Sequence, residues 1–240
     1  MPNIDNILKQ LKNVRGINKT SNNSRIFWLI FHTAFLYIAY TLCFADGLIW
    51  ISDIFEIDFS KGNIYRKYCL LSFGVVMYVL YNFKSFYLSK RKIPISETFA
   101  VIIAFAVYQV GFVLLGAWQP DPLNVLDVFG VLLFIIGSYF NTYSELQRKR
   151  FKNDSNNKGK LYTQGLFQYA RHINYFGDIC WVSGWAIITH NLWSGIIPIM
   201  LTLGFIFFGI PELSSYLEKK YGDDYQEWSK DTKKLIPFIY

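Results

Sequence analysis

The sequence contains few of the residues from which soluble enzymes build metal sites and disulfides. It has three cysteines and three histidines among 240 residues. Cys43, Cys69 and Cys180 lack the spacing that is typical of metal ligands, and their odd number does not favour a disulfide framework. Because all three lie in or beside apolar runs, we interpret them as buried free thiols, and we expect no metal.

The motifs of the common soluble nucleotide-binding and hydrolase folds are also missing. The sequence has no GxxxxGK loop, no GxGxxG motif between a strand and a helix, no HExxH and no GxSxG. It has no internal repeat. Zinc-finger and RNA-binding signatures are absent, so the net charge of +7 does not indicate a nucleic-acid partner.

Long apolar runs make up much of the chain, which is 52% hydrophobic and 19% aromatic. Because about 20 apolar residues cross a bilayer, we predict an all-α, polytopic integral membrane bundle with six transmembrane helices. These helices are predicted at residues 26–45, 68–83, 97–118, 125–143, 176–189 and 192–210. The acidic segment 46–60 is too short for an ordinary span. It is expected to form an interfacial or half-membrane helix, with a seventh span as the alternative.

The basic residues cluster between the apolar runs, which is the pattern of the positive-inside rule. Segments 1–25, 84–96, 145–171 and 211–240 hold 21 of the 24 lysines and arginines. We therefore predict that both termini are cytoplasmic, in the bacterial inner membrane or the endoplasmic reticulum. The first 25 residues are polar and basic, unlike a cleavable signal peptide, and their start could form an amphipathic turn.

A polar cluster precedes the fifth predicted helix. It places Arg171, His172, Asn174, Tyr175 and Asp178 within eight residues. If the chain is helical from about residue 169, Arg171, Asn174 and Asp178 share one face, which Tyr175 joins. A guanidinium can bind a phosphate through two hydrogen bonds, and polar groups near hydrocarbon favour a functional site. The alternative is a structural Arg–Asp pair at the start of an interfacial helix.

Three motifs in residues 141–240 resemble the steroid 5α-reductase and sterol C14/C24-reductase superfamily. Segment 165–178 matches the pattern G-hydrophobic-F…R-H-x-N-Y-x-G-D, with Ile173 in place of a common proline. Segments 220–225 and 235–240 match K-Y-G-x-x-Y and a terminal I-P-F-I-Y, in the family's order. The isoprenylcysteine carboxyl methyltransferases share a related R-H-P-x-Y motif and are the nearest alternative.

The resemblance implies hydride transfer from NADPH to a C=C bond of a steroid-like or enone lipid. It implies one membrane domain at 26–240 after the polar segment 1–25, with substrate-side helices in 26–140 and a cytoplasmic-facing cofactor pocket in 141–240. The family's arginines in the last helix are absent here. A basic loop is predicted at residues 147–160, and it is expected to contact the phosphates through Arg148, Lys149, Arg150 or Lys152. The residues that the resemblance assigns to the cofactor are Asn141, Glu145, Arg148, Tyr169, Arg171, His172, Asn174, Tyr175, Asp178, Glu212, Tyr216 and Tyr225.

Segment 81–86 resembles the stretch that carries the catalytic tyrosine of steroid reductases, and Tyr81 takes that tyrosine's place. The histidine and arginine of the family's stretch are replaced here by Phe83 and Lys84. A tyrosine hydroxyl and a carboxylic acid together can hydrogen-bond the carbonyl of an enone. The acidic partner is expected among three residues: Asp46, Asp53 and Glu56.

Two other interpretations stay open. An S-adenosylmethionine-dependent methyltransferase of the isoprenylcysteine carboxyl methyltransferase type would bind a ligand without phosphates at the same site. A protein that keeps the fold without the chemistry would account for the altered surroundings of Tyr81. The expected partners are a lipid or steroid-like substrate and membrane lipids, and the sequence does not specify a protein partner.

Overall fold

The computed structural model describes residues 22–45, 47–56, 59, 61–89 and 93–240. All regular secondary structure within these residues is helical. The chain divides into two compact units, Met1–Asp121 and Pro122–Tyr240. The predicted N-terminal amphipathic turn and Asp46 lie outside the described residues. The prediction of a single membrane domain, with cofactor binding from residue 141 onward, stays a prediction.

The first unit is built from helices that pack along α1 (Asn22–Phe44), which are α2 (Gly47–Phe55), α3 (Ile64–Phe83), α4 (Ile95–Phe105) and α5 (Phe112–Gly116). Asn63 starts α3 by accepting hydrogen bonds from the backbone of Tyr65 and Arg66, as an N-cap residue does. A π turn, Lys84–Leu88, extends α3, and a second π turn, Ala106–Gly111, joins α4 to α5.

The second unit contains two helices that pack antiparallel to each other, and its C-terminal tail is also helical. A π turn, Phe205–Gly209, joins the apolar helix Ile196–Gly204 to the helix Ile210–Tyr221, which begins the polar tail. Its helices are α6 (Val125–Asn153), α7 (Ile173–Ile188), α8 (Ile196–Gly204), α9 (Ile210–Tyr221) and α10 (Asp223–Asp231).

The basic loop predicted at residues 147–160 is wrong for its first half, because α6 continues to Asn153. Glutamine, arginine and lysine are good helix formers, so a basic composition does not end a helix. Glu145 and Arg148 form an i,i+3 ion pair that supports this segment. The positive charges of Arg150 and Lys152 also lie in the last turn, where the helix dipole favours them.

Glycines let α6 and α7 approach backbone to backbone. A Cβ at Gly177 would lie 2.5 Å from the Asn141 nitrogen, and a Cβ at Gly184 would lie 2.6 Å from the Phe134 nitrogen. Small residues at such positions are typical of closely packed membrane helices. The contact places the start of α7 against residues 137–145 of α6, where the polar residues of both helices meet.

The predicted all-α, multi-pass membrane architecture is confirmed. Among the described residues, five helical stretches are long and apolar enough to cross a membrane: Asn23–Phe44, Ile64–Leu88, Ile95–Gly116, Val125–Asn153 and Leu192–Tyr221.

Two predicted membrane segments are shorter than a full span. Helix α7 lies where the fifth span was predicted, but its 16 residues reach only about 24 Å, and much of its surface is buried inside the unit. Helix α2 has nine residues, about 14 Å, so it forms the predicted short helix and does not add a seventh span.

Candidate functional site

The polar stretch before α7 is held in an extended turn by the C-terminal tail. The Arg171 backbone donates to Lys233 O at 2.8 Å, and the His172 backbone donates to Lys234 O at 3.1 Å. Helix α7 therefore begins at Ile173, and the prediction of a helix from about residue 169 is wrong. Asn174 still shares a face of α7 with Asp178, four positions later, whereas Arg171 lies in the turn before the helix.

A second turn, upstream of this one, depends on Gln147 of α6. Gln147 Oε1 accepts a hydrogen bond from the Leu166 backbone at 3.0 Å. Gly165 has a φ of 61°, and a Cβ there would lie 2.6 Å from the same amide oxygen, so both backbone shape and space require glycine. The turn is completed by the buried Phe167, which packs in one cluster with Ala170. Sequence reasoning missed Gln147, because nothing local marks its contact with a residue 19 positions away.

Asp178 is fixed by two donors that come from different helices. Asn141 Nδ2 donates to Asp178 Oδ1 at 2.8 Å, and Trp181 Nε1 donates to the same oxygen at 2.8 Å. Asn141 Nδ2 also donates to the Asn174 backbone carbonyl at 3.1 Å. Trp181 therefore positions the carboxylate.

Glu145 links this network to the cationic side of the site. It accepts from Asn174 Nδ2 at 3.1 Å, and it forms an ion pair with Arg148. The structure thus brings together five residues that the sequence assigned to the cofactor. They are Asn141, Glu145, Arg148, Asn174 and Asp178.

A cavity of about 40 Å³ lies beside this network and is lined by three cations. They are Arg148, Lys152 and Arg171, and Asn174 lines the same space. The Arg171 guanidinium lies 5.9 Å from the centre of the Tyr225 ring, and Arg171 Nε is buried without a hydrogen-bond partner among the described residues. The rest of the lining is Leu161, Tyr162, Phe167, Leu213, Leu217, Tyr221 and Trp228.

The charge of this cavity suits an anion. Within the part of the chain that the structure describes, the only carboxylate recorded in an ion pair with these cations is Glu145, which pairs with Arg148. A buried guanidinium nitrogen without a partner carries a desolvation cost that an anionic ligand would offset. Guanidinium and ammonium groups together are the usual ligands of phosphate in proteins.

His172 forms one wall of the site and is fully buried. Its ring stacks on Tyr175 with centroids 5.4 Å apart, and Tyr175 stacks on Phe205 at 4.3 Å. His172 Nε2 lies 3.3 Å from Ser214 Oγ, whereas its Nδ1 has no hydrogen-bond partner among the described residues. His172 and Tyr175 therefore shape the site through an aromatic stack.

The imidazole of His172 is neutral at physiological pH. Burial lowers its pKa to about 4, and the nearby positive charges of Arg171 and Lys234 act in the same direction. A neutral ring adds no further positive charge to the cavity, so its role here is packing and hydrogen bonding.

Three of the twelve predicted cofactor residues line the cavity, Arg148, Arg171 and Asn174, and Tyr169, Glu212 and Tyr216 are among those that do not. Tyr169 is exposed and its ring packs on Phe238 at 5.5 Å. Glu212 is exposed on α9, and Tyr216 lies with its hydroxyl 3.4 Å from Lys220 Nζ. Their assignment to the cofactor stays a prediction.

Tyr81 belongs to the first unit, where aromatic rings surround it. Its ring is edge-on to Trp28 at 5.9 Å and to Phe105 at 4.6 Å. Asp53 and Glu56 are exposed and have no hydrogen bond or ion pair with other described residues. The structure therefore does not pair either acid with Tyr81.

The sequence was compared with known protein families and with curated proteins. Residues 93–232 match the family described as a protein of unknown function, DUF1295. A probable O-methyltransferase from Ustilaginoidea virens is 35% identical over 92 residues, which are 38% of this chain and 32% of that protein. A steroid 5-alpha-reductase from Gossypium hirsutum is 33% identical over 119 residues, 46% of this chain and 42% of that protein.

A third relative has a sterol reductase name. The Delta(14)-sterol reductase of Schizosaccharomyces pombe is 28% identical over 145 residues, 52% of this chain and 33% of that protein. The chain thus spans about one third to two fifths of the length of these three relatives. The family match covers more than half of the chain and contains all the residues that line the cavity. The chain therefore belongs to the DUF1295 family, within the steroid 5α-reductase-like superfamily that its C-terminal motifs indicate.

Proposed function

We propose that this protein is a multi-pass membrane reductase that binds NADPH at the polar site of the second unit, with its phosphates at the cavity, and reduces a C=C bond of a steroid-like or enone lipid. The observation that carries the proposal is the convergence of Arg148, Lys152 and Arg171 on one cavity beside Asn174. The reductase names of two relatives support the same reaction class.

The donor set of the site fits the parts of NADPH. The phosphates of NADPH would bind the three cations, and Arg171 Nε, which has no hydrogen-bond partner among the described residues, would gain an acceptor. The hydroxyl and amide groups of NADPH would hydrogen-bond the side-chain amide of Asn174 and the carboxylate of Glu145, which already hydrogen-bond each other. When bound, NADPH would supply the hydride.

The residues of the chain prepare this site before any ligand enters. Asn141 and Trp181 hold the carboxylate of Asp178 in one orientation, so little reorganisation is needed on binding. Tyr81 remains the proposed proton donor to the substrate. The cavity is proposed to open to the cytoplasm, on the side where both termini are expected.

A second candidate function is methyl transfer from S-adenosylmethionine to a lipid. The similarity to a probable O-methyltransferase favours it. S-adenosylmethionine carries no phosphate and only one carboxylate, so this alternative supplies a single anionic group for the three cations of the cavity.

Cofactor titrations on the detergent-purified protein would test the proposal. NADPH fluorescence would follow binding, and calorimetry would follow S-adenosylmethionine in parallel. We expect NADPH to bind, and Arg171→Gln to weaken it about tenfold or more, because one guanidinium–phosphate contact is lost. Lys158→Gln removes the same charge from an exposed residue outside the cavity and should leave affinity unchanged.

Each other result contradicts the reductase assignment. Binding of S-adenosylmethionine alone would move the assignment to methyl transfer. Binding of neither molecule would favour a protein that keeps the fold without the chemistry. Equal loss in Arg171→Gln and Lys158→Gln would mean that NADPH is attracted by overall charge and not by the cavity.

A further inference from the structure

His32 and Gln109 form a buried polar pair within the apolar helices of the first unit. His32 lies on α1 and Gln109 in the π turn Ala106–Gly111, and their side chains are 2% and 1% exposed. Gln109 Nε2 lies 2.9 Å from His32 Nε2 and 3.0 Å from the Gly74 carbonyl oxygen of α3. Three helices therefore meet at this pair, in the part of the chain that crosses the membrane.

The hydrogen bonds of the pair determine where the imidazole proton lies. The Gly74 carbonyl oxygen can only accept, so the amide nitrogen of Gln109, and not its oxygen, faces that carbonyl. The same nitrogen donates to His32 Nε2, which must then be the acceptor. A neutral His32 accordingly carries its proton on Nδ1.

Two polar atoms of the pair are left over. His32 Nδ1 and Gln109 Oε1 are buried and have no hydrogen-bond partner among the described residues. Buried polar atoms are nearly always paired, and polar groups at membrane depth favour a functional site. Gly74 keeps the amide in place, since a Cβ there would collide with Gln109 Oε1.

Aromatic rings enclose His32. Phe105 stacks on its ring at 3.9 Å, with the planes 10° apart. Tyr78 lies 5.1 Å away and Tyr81 lies edge-on at 6.2 Å, measured between ring centroids. A largely apolar wall with one or two oriented polar atoms is the composition of sites that bind apolar small molecules.

We propose that this cluster, His32, Gln109, Tyr78, Tyr81 and Phe105, binds the oxygen of an apolar, membrane-soluble molecule, which accepts a hydrogen bond from His32 Nδ1–H. A ketone and a hydroxyl both supply such an oxygen. Binding itself rests on the first unit alone. Only the identification of this molecule with the reductase substrate rests on the proposed function. If the two are the same, the substrate's oxygen lies beside the ring of Tyr81.

The first test leaves every residue of the cluster unchanged. Imidazole nitrogen-15 shifts of histidine-labelled protein in detergent should show His32 as the neutral form protonated on Nδ1, and cholest-4-en-3-one should shift that nitrogen. The chain has only two other histidines, so His172→Gln and His190→Gln complete the assignment. A ring protonated on Nε2, or a Nδ1 signal that cholest-4-en-3-one and cholesterol both leave unchanged, would overturn the proposal.

The second test compares ligands with and without oxygen. We expect His32→Phe, which retains the stacking ring, to weaken cholest-4-en-3-one or cholesterol about tenfold and to leave the oxygen-free cholestane unchanged. Gly74→Ala should do the same by displacing Gln109. Thr41→Val should not, because the Thr41 hydroxyl donates to the Ile38 carbonyl oxygen of the same helix and contacts no member of the cluster. Whichever of the two oxygenated sterols shows the effect identifies the ketone or the hydroxyl as the acceptor.

Equal weakening of the sterols and cholestane would mean that only apolar packing was lost, and no weakening would mean that the pair holds trapped water. Either result would overturn the proposal. NADPH titrated in the same samples separates this inference from the proposed function. His32-dependent sterol binding without NADPH binding would leave the site standing and remove the reductase assignment.

Discussion

Gly137 and Gly177 bring the backbones of α6 and α7 into direct contact. A Cβ at Gly137 would lie 2.6 Å from the Gly177 carbonyl oxygen, and a Cβ at Gly177 would lie 2.7 Å from the Gly137 carbonyl oxygen. Backbone atoms cannot rotate away as a side chain can, so the helices would have to separate. The polar network that joins the two helices depends on this contact.

Gly137→Ala should therefore destabilise the protein by about 1–3 kcal/mol or more, as overpacking of a tight contact does. Thermal unfolding in detergent would measure the change, and NADPH affinity should fall with it because Asn141 and Asp178 move apart. Gly204→Ala is the matched control, since its Cβ would meet nothing within 4 Å. It should be neutral or slightly stabilising through helix propensity. An unchanged melting temperature for Gly137→Ala would contradict the packing.

Trp181→Phe should weaken NADPH binding severalfold with little change in the fold. The substitution keeps an aromatic ring but removes the Nε1 donor that holds Asp178 Oδ1 at 2.8 Å. The carboxylate would then lose one of the donors that orient it, and loss of such a hydrogen bond costs about 1 kcal/mol. NADPH fluorescence titration would measure the effect.

Trp193→Phe is the control for this change, because Trp193 is 72% exposed outside the site. Equal NADPH affinities for the wild type and Trp181→Phe would show that Trp181 only packs. A large drop in melting temperature would point to the same conclusion.

The contacts between the helices explain which parts of the site the sequence predicted. Asn174 and Asp178 share a face because they are four residues apart on α7, and that spacing is readable from the sequence. Their junction with Asn141 came from the family resemblance. Trp181 was missed because a tryptophan in an apolar helix has no local mark that its nitrogen bonds a carboxylate.

Long-range pairing limited the prediction of local structure in the same region. The tail holds Arg171 and His172 through backbone bonds to Lys233 and Lys234, about 60 residues later, and this delays the start of α7. The spacing of residues within one segment does not reveal a hydrogen-bond partner that lies about 60 residues away in the sequence. Membrane spans were predicted well for the opposite reason, since apolar length is a property of a single contiguous segment.

Gln147→Met should loosen the turn that leads into the site. Gln147 Oε1 is the acceptor for the Leu166 backbone, and methionine has a similar volume without that oxygen. We expect a loss of about 1 kcal/mol in stability and faster backbone hydrogen exchange at Leu166. Gln168→Met, at an exposed position, is the control. Unaltered exchange at Leu166 would mean that Gly165 alone maintains the turn.

Acid should destabilise the protein through His172. The pKa of the buried imidazole is lowered from 6.5 to about 4, so between these values the unfolded chain binds a proton that the folded chain does not. Stability contributed by the neutral ring is complete above about pH 6.5 and is lost as pH falls, by about 3 kcal/mol at pH 4. Thermal unfolding in detergent across pH 4–7.5 would measure the slope.

Carboxylates also titrate in the lower part of this range, so the wild-type slope alone does not identify His172. His172→Gln lacks the titrating ring while it can still hydrogen-bond Ser214, and its melting temperature should fall less steeply between pH 6.5 and 4. His172→Phe, which keeps an aromatic ring against Tyr175 but cannot titrate, separates the loss of the ring proton from the loss of stacking. If both variants retained the full wild-type slope, the acid sensitivity would belong to other groups, because a group that does not change its protonation cannot alter the pH dependence of stability.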